Sequence, residues 1–86
     1  MNILETILEN NPDESFLKAD GFDEAVIGLE EKSGRLIYST AICLEILVKD
    51  DGMTMEEAIE YFYYNIEGAY MGEQTPIFCN DYGFEY

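Results

Sequence analysis

Reactive side chains in this sequence are few in kind and crowded in number. Nucleophilic catalysis needs a Ser or Cys beside a base, and the chain holds no His, the commonest general base and transition-metal ligand. Ser15, Ser33 and Ser39 have no activator in sight, and each has a ready use at a turn or a helix cap. Cys43 lies in an apolar run, where burial raises a thiol's pKa and makes it inert. Cys79 is the only other cysteine and forms no C-x-x-C pair with it, so both read as buried and reduced. Carboxylates are the abundant group, 19 Asp and Glu against 4 Lys and Arg. So many acids single out no acid–base pair of the kind used on glycosides, and a chain of 86 residues rarely builds the long cleft such chemistry needs. The Ca²⁺ loop pattern D-x-[DN]-x-[DN]-G is missed by both Asp50-Asp51-Gly52 and Asp20-Gly21-Phe22-Asp23-Glu24. No catalytic residue, metal ligand or cofactor site is expected, and the chain reads as a non-enzyme.

What remains is the acid itself. Glu56, Glu60 and Glu67 fall at i, i+4 and i+11, roughly one stripe of the helix that follows Thr54, with Glu57 beside it. Like charges at i, i+4 cost a helix a few tenths of a kcal/mol per pair, and almost no Lys or Arg is present to relieve them. Neighbouring carboxylates on that stripe stand about 5–6 Å apart, comparable with successive phosphates along a nucleic-acid strand. The run Tyr61-Phe62-Tyr63-Tyr64 covers a full turn of the same helix. Periodicity puts Phe62 inside, so one or two of Tyr61, Tyr63 and Tyr64 must lie near the surface, where Tyr serves as an interface anchor. The partner-binding set read from the sequence is therefore Glu56, Glu57, Glu60, Glu67, Tyr61, Tyr63 and Tyr64. The competing use of the tyrosines is packing under the N-terminal helix or the C-terminal arm.

The elements that must position this surface follow from apolar spacing. Ile3, Leu4, Ile7 and Leu8 mark one helical face with Asn2 as N-cap, and Asn10-Asn11-Pro12 ends it. A second short helical segment is expected over 13–19, carrying Phe16 and Leu17. Residues 25–31 and 35–38 flank the turn Lys32-Ser33-Gly34 as a hairpin. Ser39 or Thr40 caps a helix to about Val48 that is almost wholly apolar and reads as the buried centre. Asp50-Asp51-Gly52 terminates it. Thr54-x-x-Glu57 is a capping box, opening a helix from Met55 to about Ala69 with Met55, Ala58, Ile59, Phe62 and Ile66 on one face. Gly68 or Gly72 stops it. A third strand is expected at 75–79, with Pro76 favouring an edge, and the aromatic tail of Tyr82, Phe84 and Tyr86 is expected to dock. The reading is one α+β domain over 1–86: a small antiparallel sheet packed by three helices.

Charge sets the class of partner. A formal charge of −15 argues against direct nucleic-acid binding and against anionic membrane surfaces, both of which recruit Lys and Arg. The longest apolar run, 41–48, is interrupted by Glu45 and too short to span a bilayer. Gly68-Ala-Tyr-Met-Gly72 matches G-x-x-x-G only formally, in a charged setting. The N-terminus has no basic n-region, so no signal peptide is expected and the reading is cytoplasmic. Hydrophobic residues at 48% place the chain outside the disordered, highly charged class.

Three segments carry a resemblance. Asp20-Gly-Phe-Asp-Glu-Ala-Val-Ile-Gly28, Asp51-Gly-Met-Thr-Met-Glu-Glu-Ala58 and Asn65-Ile-Glu-Gly-Ala-Tyr-Met-Gly-Glu-Gln-Thr-Pro-Ile-Phe78 are similar in order and spacing to motifs of small tailed-phage proteins of about this length. The chain departs from that family at Leu36-Ile-Tyr-Ser-Thr-Ala41, where many members have a Tyr-Asp rich stretch. The resemblance implies a phage origin and an infected host cell as the setting, and it transfers no site residue. By analogy with small acidic phage inhibitors of host nucleic-acid enzymes, the expected function is stoichiometric binding of a basic, nucleic-acid-handling host protein by nucleic-acid mimicry. Restriction enzymes, CRISPR effectors and polymerases fit such a target. The alternative is a housekeeping interaction domain, a homodimer through the aromatic surface, whose acidity serves solubility only.

Overall fold

In the computed structural model, which describes residues 2–68 and 72–81, Asn2 opens the first helix. Its Oδ1 accepts from the Glu5 backbone N–H at 2.9 Å, capping α1 (Ile3–Asn10). Leu4 is buried and Ile7 half-buried, whereas Ile3 and Leu8, expected on the same face, are 48% and 39% exposed. Asn11 closes the helix by donating its Nδ2 to the Ile7 carbonyl at 2.9 Å. The short helix expected over 13–19 does not form. Phe16 is only half-buried and Leu17 is exposed, too little apolar surface to hold a helical face against the core. The backbone there turns to a tertiary partner instead: the Ala19 N–H donates to the Tyr38 hydroxyl oxygen at 2.8 Å.

A 3₁₀ turn at Asp23–Ala25 leads into β1 (Val26–Leu29), which pairs antiparallel with β2 (Leu36–Ser39). Gly28 lies opposite Ile37 and Leu29 opposite Leu36, with a bulge between Val26 and Gly28. The connecting loop is organised by Glu30, whose carboxylate accepts from the Lys32 N–H at 3.0 Å, the Ser33 N–H at 2.9 Å and the Ser33 hydroxyl at 2.6 Å. Gly34 takes φ +73° there, a left-handed step that glycine makes without steric cost. The hairpin and the third strand stand as expected, but the sheet is mixed. β3 (Ile77–Cys79) runs parallel to β2, pairing Tyr38 with Phe78 and Ser39 with Cys79, and the strand order is β1-β2-β3. Parallel neighbours need a long crossover, and the two helices between β2 and β3 supply it. Pro76, buried immediately before β3, sits at the outer strand, where its missing N–H interrupts no central ladder.

Of the two candidate caps for the second helix, Ser39 is the one used: its Oγ accepts from the Ile42 N–H at 3.2 Å and starts α2 (Thr40–Asp50). The same hydroxyl donates to both carboxylate oxygens of Asp81, at 2.8 and 2.9 Å, tying the segment after β3 to the start of the helix. Thr40, Cys43 and Leu47 are buried and the other apolar residues of α2 mostly half-buried, as its central position requires. The Thr54–Glu57 capping box forms with both bonds present and starts α3 (Met55–Phe62). Regular α geometry ends there, earlier than expected, and Tyr63–Glu67 form a π turn; Ala69 lies outside the described residues, as does the aromatic tail. Around these elements packs one core, ten of the described residues, led by Tyr38 and Phe62. The Phe78 ring sits 5.5 Å from Tyr38 and 5.3 Å, edge-on, from Phe62, so β3 and α3 meet through aromatic contacts that exceed simple area burial in strength.

Candidate functional site

The outward side of α3 carries the charge. Glu57, Glu60, Tyr61 and Tyr64, spaced i, i+3, i+4 and i+7, line one shallow groove of about 650 Å³ with Asp51, Gly52, Met53 and Asn65. That spacing is one helix face. The groove is completed by the link between the helices. Gly52 at φ +70° and the Met53 N–H donating to the Leu47 carbonyl at 3.3 Å fold the link back, bringing Asp51 beside α3.

Of the seven residues singled out in the sequence, four converge and three do not. Glu56 and Glu67 are exposed but lie outside the groove. Tyr63 faces a separate hollow, about 300 Å³, whose walls include Leu44, Ile59 and Asp81, and its ring meets Phe62 edge-on at 5.1 Å. Glu56 and Tyr63 stand about 100° round the helix from the 57–60–61–64 face, as regular α geometry dictates, and the π turn over Tyr63–Glu67 changes the angular step per residue, so the i+11 extrapolation to Glu67 fails. All three tyrosines are exposed, Tyr61 at 43%, Tyr63 at 44% and Tyr64 at 81%, one more than periodicity demanded. Met55 and Ile59, expected inside, are exposed at 49% and 43%, while Ala58 and Phe62 are fully buried. Asp51, Met53 and Asn65 escaped the sequence reading. Asp51 was legible only as a helix terminator, although its place three residues before the Thr54 cap was a signal that it would sit near the start of α3.

The groove is electrostatically one-sided. Glu57 gives one oxygen to the capping box, accepting from the Thr54 N–H at 2.9 Å, in the first turn of α3. None of the chain's four cationic side chains lines the groove. The one ion pair among the described residues, Lys49 with Glu45 at 3.7 Å, is exposed on α2, and Arg35 donates its Nε to the Thr75 carbonyl at 2.6 Å on the hairpin side. Three carboxylates and two tyrosines therefore face solvent together without a compensating cation.

Comparison with known proteins found no matching family, no similar curated protein and no similar solved structure. The site is therefore read from its own chemistry. Among the described residues no group of three or more His, Cys, Asp or Glu is placed to hold a metal ion, and no helix is long and apolar enough to cross a membrane. Cys43 is buried, and burial, with Asp81 nearby, pushes its thiol up to about 12. Ser39 has a carboxylate partner in Asp81 but is 0% exposed and also accepts the Ile42 N–H as the α2 cap, so its pairing holds two segments together.

Proposed function

We propose that the protein is a non-enzymatic, stoichiometric binder of a basic, nucleic-acid-handling host protein, made by a tailed phage and acting in the cytoplasm of the infected cell. The observation that carries this reading is the α3 groove, where Asp51, Glu57 and Glu60 meet two exposed tyrosines with no cation among them. A fixed anionic surface of this kind is repelled by DNA and RNA and attracted to the grooves built to hold them. The frame behind it is rigid: the capping box pins the first turn of α3 and Phe62 anchors the helix in the core. The partner is thus offered one carboxylate, that of Glu57, already oriented by the Thr54 N–H, which lowers the entropic cost of binding there. The test is capture of host proteins at low and at high salt, followed by adding the protein to each captured partner preloaded with labelled nucleic acid. Displacement at one equivalent, weakening as salt rises, supports mimicry. A partner that keeps its nucleic acid sinks it.

A second reading has one observation in its favour. Met55, Ile59 and Tyr63 leave an apolar stripe exposed on the other flank of α3, the type of surface that a homodimeric housekeeping domain would bury. Light scattering at two concentrations separates the readings, since a tight dimer that shields Tyr63 favours the second.

A further inference from the structure

We infer that the α3 groove is built for an arginine side chain of the partner and discriminates it from lysine. The inference rests on the charge-driven binding proposed above and deepens it. Two features of the groove act on different parts of a cation. Glu57 and Glu60, one turn apart, supply carboxylate oxygens, and Glu60 makes no ion pair among the described residues. Tyr61 and Tyr64, interleaved with them, supply aromatic faces, and Tyr64 is 81% exposed. A lysine ammonium is a compact, strongly hydrated point charge that a carboxylate alone satisfies. An arginine guanidinium is planar and weakly hydrated; it stacks on an aromatic face while its edge donates in a fork to carboxylate oxygens. Lysine can meet a ring face only by giving up part of a strong hydration shell, so arginine gains more from the two features together. The occupant is chosen by charge complementarity, since 19 acids against 4 bases leave every anionic segment repelled.

The groove also constrains how the fork is met. Glu57 Oε1 is held by the Thr54 N–H, which orients that carboxylate and leaves its second oxygen and those of Glu60 for the fork.

The experiment is a titration of the intact protein with a short glycine–arginine repeat peptide and, separately, a glycine–lysine peptide of equal length and charge, read by NMR shifts of the Tyr61 and Tyr64 rings and by calorimetry. The expected result is arginine binding roughly two- to fivefold tighter than lysine, the size of an exposed cation–π contact. Tyr64→Leu keeps an apolar side chain at an exposed site and removes the π face; it should bring the ratio to about one, weakening arginine binding more than lysine binding. Equal binding of the two peptides by the unaltered protein overturns the inference, even where nucleic acid is displaced from a host protein. A preference that survives Tyr64→Leu overturns it too. Arginine preference lost in Tyr64→Leu upholds the inference, and does so even if no host protein releases nucleic acid, in which case only the mimicry reading falls.

Discussion

Neutralising the groove without disturbing the helix isolates the work done by charge. In the double variant Glu57→Gln, Glu60→Gln, the amide oxygen at 57 still accepts from the Thr54 N–H, now 2.9 Å from the carboxylate oxygen, so the capping box persists. Loss of a negative charge from the first turn costs about 0.3–1 kcal/mol. Relief of repulsion between 57 and 60, and between 56 and 60, returns about 0.2–0.5 kcal/mol per pair. The two nearly cancel, and the thermal midpoint should hold within about 4 °C. Binding should not hold. A carboxylate about 4 Å from a cation in water is worth about 1 kcal/mol, reduced by salt once the Debye length falls to about 8–10 Å. Two such contacts, partly screened, amount to about 1–2 kcal/mol, roughly a five- to thirtyfold loss of affinity for a cationic peptide at low salt. The control is Thr54→Ala, which removes the oxygen that accepts from the Glu57 N–H at 3.1 Å, costs about 1 kcal/mol of stability and leaves every carboxylate in place. Calorimetry and circular dichroism on both variants read the outcome. A folded double variant with unchanged affinity and unchanged salt dependence refutes the argument, and so does a Thr54→Ala protein that loses as much binding as the double variant.

Three further outcomes follow from the same contacts. Tyr38→Phe leaves the Ala19 N–H without the hydroxyl it meets at 2.8 Å; an unpaired, partly buried donor costs about 1–3 kcal/mol, and amide exchange at Ala19 should accelerate more than at the β1–β2 pairs. Glu30 is held below its ordinary value of 4.5, first by the Ser33 hydroxyl and then by the Lys32 and Ser33 N–H groups. A depressed carboxyl stabilises the fold above its unfolded value and loses that contribution as pH falls through the folded one, so Glu30→Gln should flatten the decline of the thermal midpoint below about pH 4.5; an unchanged acid limb contradicts this. Cys43, buried with its thiol pushed up to about 12, should resist alkylation at pH 8 while half-buried Cys79 reacts, as peptide mass spectrometry would record; labelling of both at equal rates is the contrary result.

Much of this architecture was readable where the physics is local. Asn2, Ser39 and the Thr54–Glu57 pair announce helix starts through side chains that bond a backbone N–H three residues away. The turn residues of 30–35 mark the hairpin for the same reason. Legibility ends where a choice depends on distant partners. The 13–19 segment carried a helical pattern, yet its backbone goes to Tyr38, 19 positions away. The direction of β3 depends on the path of two helices, which no residue of 75–79 encodes. For the candidate site, periodicity located the helix and the mixture of acids and tyrosines, but it assumed a uniform step per residue. The π turn at Tyr63–Glu67 broke that assumption for Glu67, Tyr63 falls on the Ile59 flank by ordinary i, i+4 spacing, and the chain reversal at Gly52 brought in Asp51, which no helical wheel contains.

The pairing of β3 with β2 bears on how the chain reaches its final state. Ser39 and Asp81 are 42 positions apart, so the clasp that secures β3 closes a long loop, and it does so against the chain entropy of everything between. Helices α2 and α3 form from neighbours, whereas Phe78, the ring that touches both Tyr38 and Phe62, arrives from far away. Contacts of that range slow folding. Until they form, two of the largest core rings lack their cover, and a newly made chain shows aromatic surface to its surroundings. The many carboxylates, proposed above to meet a basic partner, have a second consequence: like-charged nascent chains repel one another during the interval when their cores are open.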